Sequence, residues 1–182
     1  MVILFMLAGC AFAFSMGEGE ESAVRYTQTD VNLLIAAVLA ALIFSFLCSI
    51  AEAVLLSITP SYIEELRQRY PQKADLLKKL RQKNVDRSLA AILTLNTIAH
   101  TVGATVAGAQ AAIVFGSNAI GIFSAAMTLL ILYFTEILPK TIGAVYWRHL
   151  AGVTSGFIKI LIGILFPLIW LSEGLTRLIA RG

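Results

Sequence analysis

Of the 182 residues, 58% are hydrophobic and 14% charged, the net charge is +3 and the mean hydropathy is +0.83. No water-soluble domain of this size needs that much apolar surface, so the chain reads as an all-α integral membrane protein with one membrane domain, partnered by the lipid bilayer rather than by nucleic acid. Two cysteines, Cys10 and Cys48, supply neither a disulfide framework nor a metal-binding spacing.

In chain order, residues 1–30 are an apolar leader followed by the polar outer tail "EGEESAVRYTQTD". The leader has the h-region of a signal peptide without its basic n-region, and "LAGC" also fits a lipoprotein cleavage box ending at Cys10. Residues 31–57 form the first crossing. Val31 to Ala51 is charge-free and long enough to span a bilayer, and Asp30 is placed as its N-cap. Residues 60–88 carry eight Lys/Arg against four acids. Their sparse apolar positions fit a helical hairpin on the membrane surface, broken near Pro71; a plain solvated connector is the blander reading. The second crossing covers 89–115, "GSN" at 116–118 makes a tight turn, and the third crossing covers 119–139.

The excess of positive charge in 60–88 places that segment in the cytoplasm. The N-terminus then lies outside and the C-terminus inside, with Lys140, Arg148 and His149 also inside. The remaining stretch, 141–182, is apolar enough for a fourth crossing over 150–172. Its basic flanks, with Lys159, Arg177 and Arg181, favour helices lying in the cytoplasmic interface instead.

Polar groups inside a span cost roughly 2.5–3.5 kcal/mol each when charged, so they mark function by default. Ser45, Ser49 and Glu52 fall at i, i+4 and i+7 on one face of the first crossing. Asn96 and His100 are spaced i, i+4 on the second, followed by Gly103 on the same side. Thr135 and Glu136 sit on the third. At about 1.5 Å per residue, Ser45 lies about 21 Å from the outer surface, Asn96 about 10 Å from the inner one and Glu136 about 25 Å from the outer one. All three fall in the inner half of the bilayer. Their donors are hard oxygens, which suit Mg²⁺, Ca²⁺ or Na⁺. Pro139 has no N–H to give to the carbonyl of Thr135, which loosens the backbone beside Glu136. Lys140 either snorkels to the cytoplasmic edge or pairs with a carboxylate such as Glu52. Structural readings stand beside these: serines bonding back to the preceding turn, glycines and alanines packing helices, and a histidine bonded to its neighbour.

The strings "SFLCSIAEAVLLS" (45–57), "LTLNTIAHTVGA" (93–104) and "TEILPKT" (135–141) resemble the signatures of the transmembrane domain of the CNNM/CorC family of magnesium transporters. The resemblance covers about residues 30–182. It implies three transmembrane helices with a belt of juxtamembrane helices, a homodimer in the cell (inner) membrane, and a dehydrated Mg²⁺ carried by alternating access, with Na⁺ as a coupling ion. It implies metal ligands at Ser45, Ser49, Asn96 and Glu136, joined by Gly103, with Glu52, His100, Thr135, Pro139 and Lys140 in supporting places. The chain departs from the pattern at His100, where many members carry a second Asn, and at Thr135, where Gly is usual. Members of the family continue into paired CBS nucleotide-binding modules, and none falls within these 182 residues; either the sequence is a piece of a longer chain, or the membrane domain works with a separate cytoplasmic regulatory protein as partner.

Two functions follow from different classes. One is a divalent-cation transporter. The other is a non-transporting module that senses Mg²⁺ or docks a partner through the basic 60–88 segment. An intramembrane enzyme built on Ser49 and His100 ranks far below, because the sequence has no nucleophile elbow, HExxH or oxyanion-type loop. The expectation is that the chain is not an enzyme.

Overall fold

The computed structural model describes residues 27–171, and all of its regular structure is helical. The leader, most of the polar tail and the segment holding Arg177 and Arg181 lie outside the described residues. Helix α1 (Gln28–Ser57) opens one turn earlier than its apolar run. Thr27 rather than Asp30 is its N-cap: the Thr27 backbone N–H donates to the Asp30 carboxylate at 2.9 Å, so Asp30 closes the first turn from inside the helix. The aspartate also meets the positive end of the helix dipole there.

Helices α2 (Pro60–Arg69) and α3 (Pro71–Lys78) each start on a proline, which serves well at a first helical turn. The break between them falls at Tyr70, whose φ/ψ of −139°/75° leaves the helical region ahead of Pro71. Helix α3 runs on through a π-helical turn, Lys79–Lys83, to Asn84. Ser88 Oγ lies 3.0 Å from both the Leu80 and Asn84 carbonyls and ties that turn to the next helix.

Helix α4 (Val85–Phe115) starts four residues before the expected second crossing, because Asp86 and Arg87 fit a solvated first turn while Ser88 is buried against the preceding turn. Gly116 ends it at φ 81°, a conformation that favours glycine, and a single 3₁₀ turn reverses the chain. The third span, Ser117–Val145, is built from α5 (Ile120–Leu130), a π-helical stretch (Ile131–Ile137) and α6 (Leu138–Val145). It does not stop at Pro139 as the sequence suggests. The wider π register absorbs the proline: the Leu138 N–H reaches back to Tyr133 O, and the helix continues past the missing donor.

Among the described residues, three helices are long and apolar enough to cross a membrane: α1, α4 and the third span. Leu39 and Ile43 on α1, Val102 on α4 and Ile122 and Leu129 on the third span are 51–73% exposed, an apolar belt that water would not tolerate and lipid accepts. The chain is a multi-pass membrane protein.

Helix α7 (Trp147–Ile164) buries Ala151, Thr154, Ser155, Ile158 and Leu161 along one face. Ile158 and Leu161 pack with Cys48, Ala51 and Leu55 of α1 and Ala91 and Ile92 of α4. It therefore braces the α2–α3 end of the bundle. Ala151 closes a second cluster with Val54, Ile63, Ala74 and Leu77, so α2, α3 and α7 share a floor. At the far end, Leu34, Ala41, Ala107, Ala111 and Met127 form a separate core of mostly small side chains.

Candidate functional site

The polar residues of three different spans meet at one level of the bundle. Ser45 on α1 is fully buried, and its hydroxyl donates to Asn96 Oδ1 on α4 at 2.8 Å. The same oxygen is in close hydrogen-bond contact with His100 Nε2, one turn further along α4. Thr135, also buried, brings its Oγ1 within 3.4 Å of that nitrogen from the π-helical stretch. The other side of the imidazole, Nδ1, lies 4.0 Å from Glu136 Oε1. Sequence spacing puts Asn96 and His100 on one stripe of α4, and only folding sets that stripe against Ser45.

The π stretch explains how Thr135 and Glu136 both reach this level. Thr135 Oγ1 bonds back to Ile131 O at 2.7 Å, which locks its side chain against its own helix. Widened turns of this kind occur at functional sites, where they re-aim side chains without ending a helix. Glu136 is 38% exposed and accepts no hydrogen bond among the described residues, so its carboxylate remains available.

Ser49 lies one turn along α1 from Ser45. Its hydroxyl is buried and has no hydrogen-bond partner among the described residues. A buried orphan hydroxyl is costly, roughly 1–3 kcal/mol, and beside a polar cluster it calls for a ligand. The remaining sequence candidates sit apart from this centre. Lys140 Nζ pairs with Glu52 Oε2 at 3.4 Å, so Lys140 ties α6 to α1 rather than snorkelling alone. Pro139 is buried at the start of α6. Gly103 is pressed against Ala41, where any added Cβ collides with the alanine methyl; its visible job is to let α1 and α4 approach.

His100 is the residue whose weight the sequence underrates. It touches groups from both other spans and forms the hub of the cluster. The i, i+4 match between Asn96–His100 and Ser45–Ser49 is the signal that points to it. The chemistry on offer is a half-buried cluster of hydroxyl, amide and carboxylate oxygens with one imidazole, groups that could hold a cation between three helices.

Residues 34–182 match the cyclin M transmembrane N-terminal domain family. The chain belongs to that family. It is 34% identical over 149 residues to the UPF0053 protein sll1254 of Synechocystis, covering 82% of this chain and 43% of that protein. It is 28% identical over 110 residues to the UPF0053 inner membrane protein YfjD of Escherichia coli, covering 60% of this chain and 26% of the relative. A UPF0053 protein of Haemophilus influenzae is 27% identical over 136 residues, 75% of this chain and 32% of its own length. The chain thus spans less than half the length of the curated relatives it matches. The matched domain is a transmembrane one.

Proposed function

We propose that this membrane domain carries a divalent cation, Mg²⁺, across the cell membrane by alternating access, with Na⁺ as the coupling ion. One observation carries the reading: oxygens from three separate spans converge, while the Ser49 hydroxyl and the Glu136 carboxylate at that level lack hydrogen-bond partners among the described residues. Ser45, Ser49, Asn96 and Glu136 supply the oxygens, and Gly103 admits the close helix approach around them. A site held by three independent helices changes shape when any one of them tilts, which is what alternating access requires.

The basic excess of the α2–α3 segment supports a cytoplasmic hairpin, an external N-terminus and an internal C-terminus. A homodimer in the inner membrane is part of the same proposal, and the family resemblance supports it. Around α3, an open cavity of about 440 Å³ lined by Arg67, Asp75, Lys78, Lys79, Lys83 and Asn84, with four bases against one acid, supports docking of an acidic regulatory protein there.

The test is Mg²⁺ calorimetry on the detergent-purified chain, wild type against Glu136→Ala, followed by flux in liposomes. Binding by wild type, loss of binding in the variant and flux that falls with it support transport. Binding without flux favours a sensing or docking module. Equal binding by both proteins removes Glu136 from the ligand set and the transport reading with it.

A further inference from the structure

Hydrogen-bond accounting around His100 goes one step further. Ser45 has one hydroxyl proton, and it is committed to Asn96 Oδ1 at 2.8 Å. Thr135 has one hydroxyl proton, and it is committed to Ile131 O at 2.7 Å. Both oxygens therefore meet His100 Nε2 as acceptors, so Nε2 carries the hydrogen and donates to them. In the neutral ring Nδ1 is then a bare lone pair. It faces Glu136 Oε1, a second acceptor, across 4.0 Å. With the ring neutral, two acceptors confront each other with no donor from the described residues between them.

We infer that His100 Nδ1 and Glu136 form a nitrogen–carboxylate ligand pair that bridges the transported cation and makes this chain favour first-row transition divalents, Mn²⁺ among them, over Mg²⁺. The inference rests on the cation-site reading above and names the substrate class of that same site. A cation bonded to both atoms at about 2.1 Å spans the 4.0 Å gap with a bent nitrogen–metal–oxygen angle of about 145°. The N–H of the ring held by Ser45 and Thr135 is the outer support that fixes tautomer and ring orientation for a metal-binding histidine. Imidazole nitrogen is a ligand that Mn²⁺, Fe²⁺ and Zn²⁺ accept and that Mg²⁺, demanding hard oxygen, takes reluctantly. His100 and Glu136 are 23% and 38% exposed, so the pair is not sealed from an arriving ion.

The experiment uses the full chain in lipid nanodiscs with Mn²⁺ and Mg²⁺ as probes. Competition binding gives the Mn²⁺/Mg²⁺ affinity ratio for wild type, His100→Asn and His100→Gln, and pulsed electron paramagnetic resonance of bound Mn²⁺ reads ¹⁴N coupling. An Asn amide reaches the Nδ1 position and can offer oxygen there, so His100→Asn keeps Mg²⁺ binding, lowers the ratio by about tenfold or more and loses the nitrogen signal. His100→Gln reproduces the donor at Nε2, keeps the bonds to Ser45 and Thr135, and also loses the nitrogen signal. A wild type that binds Mg²⁺ with no ¹⁴N coupling and a ratio matching His100→Asn overturns this inference and leaves the cation site standing. A wild type that binds neither ion overturns both.

Discussion

Helices α1 and α4 run against each other along their length, and the two halves of that contact differ in chemistry. Away from the α2–α3 end, Ala41 meets Gly103, with Ala107 and Ala111 beside them: small, apolar and closely fitted. One turn on, the same two helices present Ser45, Asn96 and His100, bonded to one another. The first half makes the second possible. Short polar side chains meet across a helix pair only where the backbones are near, and small residues set that distance. Packing and the polar junction are thus one design in two parts, and substitutions in each part separate them.

The largest effect falls in the packing half. A Cβ at Gly103 collides with the Ala41 side chain and comes within 3.2 Å of its Cα, so backbone must yield. At Gly143, where α6 crosses α1, a Cβ lies 2.8 Å from Ala53 Cβ and 3.0 Å from Ile50 O. We expect Gly103→Ala and Gly143→Ala each to cost about 1–3 kcal/mol, read as a fall in thermal midpoint in detergent, and leucine at either place to abolish folded protein. Gly108 and Gly152 meet nothing within 4 Å, and their alanine variants should stay within about 0.5 kcal/mol of wild type. If all four alanine variants behave alike, the close approach is not what holds α1 to its neighbours.

The ligand half divides again, between satisfied and unsatisfied hydroxyls. Ser45→Ala removes a buried group with two partners and should destabilise the empty protein by about 1–3 kcal/mol. Ser49→Ala removes a buried hydroxyl with no partner among the described residues, so the empty protein should be as stable or slightly more so. Both should weaken Mg²⁺ binding. The pair of measurements, melting without ion and calorimetry with it, distinguishes a ligand from a structural bond. Ser49→Ala melting low while binding normally would make that serine structural.

How far the sequence reveals this depends on the reach of each interaction. The spans are legible because Val31 to Ala51 and Ala119 to Phe134 are charge-free runs, and apolarity over twenty residues has few other meanings. The stripes Ser45–Ser49 and Asn96–His100 are legible because helical period is local. Ser45 lies 51 residues from Asn96 and 55 from His100, so the junction they form is set by packing and not by any local pattern. The π register before Pro139 is equally hidden, because Ile131–Ile137 suits an α-helix just as well by composition. Only Pro139, with its missing N–H, hints that the ladder must change there. The cap of α1 differs by three residues for a simpler reason: Thr27 and Asp30 both favour caps, and the backbone N–H that Asp30 accepts belongs to Thr27.

The smallest expected effect compares two ion pairs of different burial. Lys140 and Glu52 are 3.4 Å apart with side chains 45% and 19% exposed, and they join α6 to α1 just beyond the polar centre. Arg67 and Asp75 are 3.0 Å apart at 37% and 70% exposed, and they join α2 to α3 across the Tyr70 break. Distance alone ranks the second pair first. Burial reverses the order, since Glu52 is the least solvated of the four and water screens it least. Double-mutant cycles should give a coupling of up to about 1 kcal/mol for Lys140–Glu52 and less than about 0.5 kcal/mol for Arg67–Asp75, with the latter fading in molar salt. Equal couplings that fade together in salt would place Glu52 in an aqueous setting. The floor of the bundle beneath the polar cluster would then be open to water on that side, and Lys140 would act as a surface charge rather than a brace between helices.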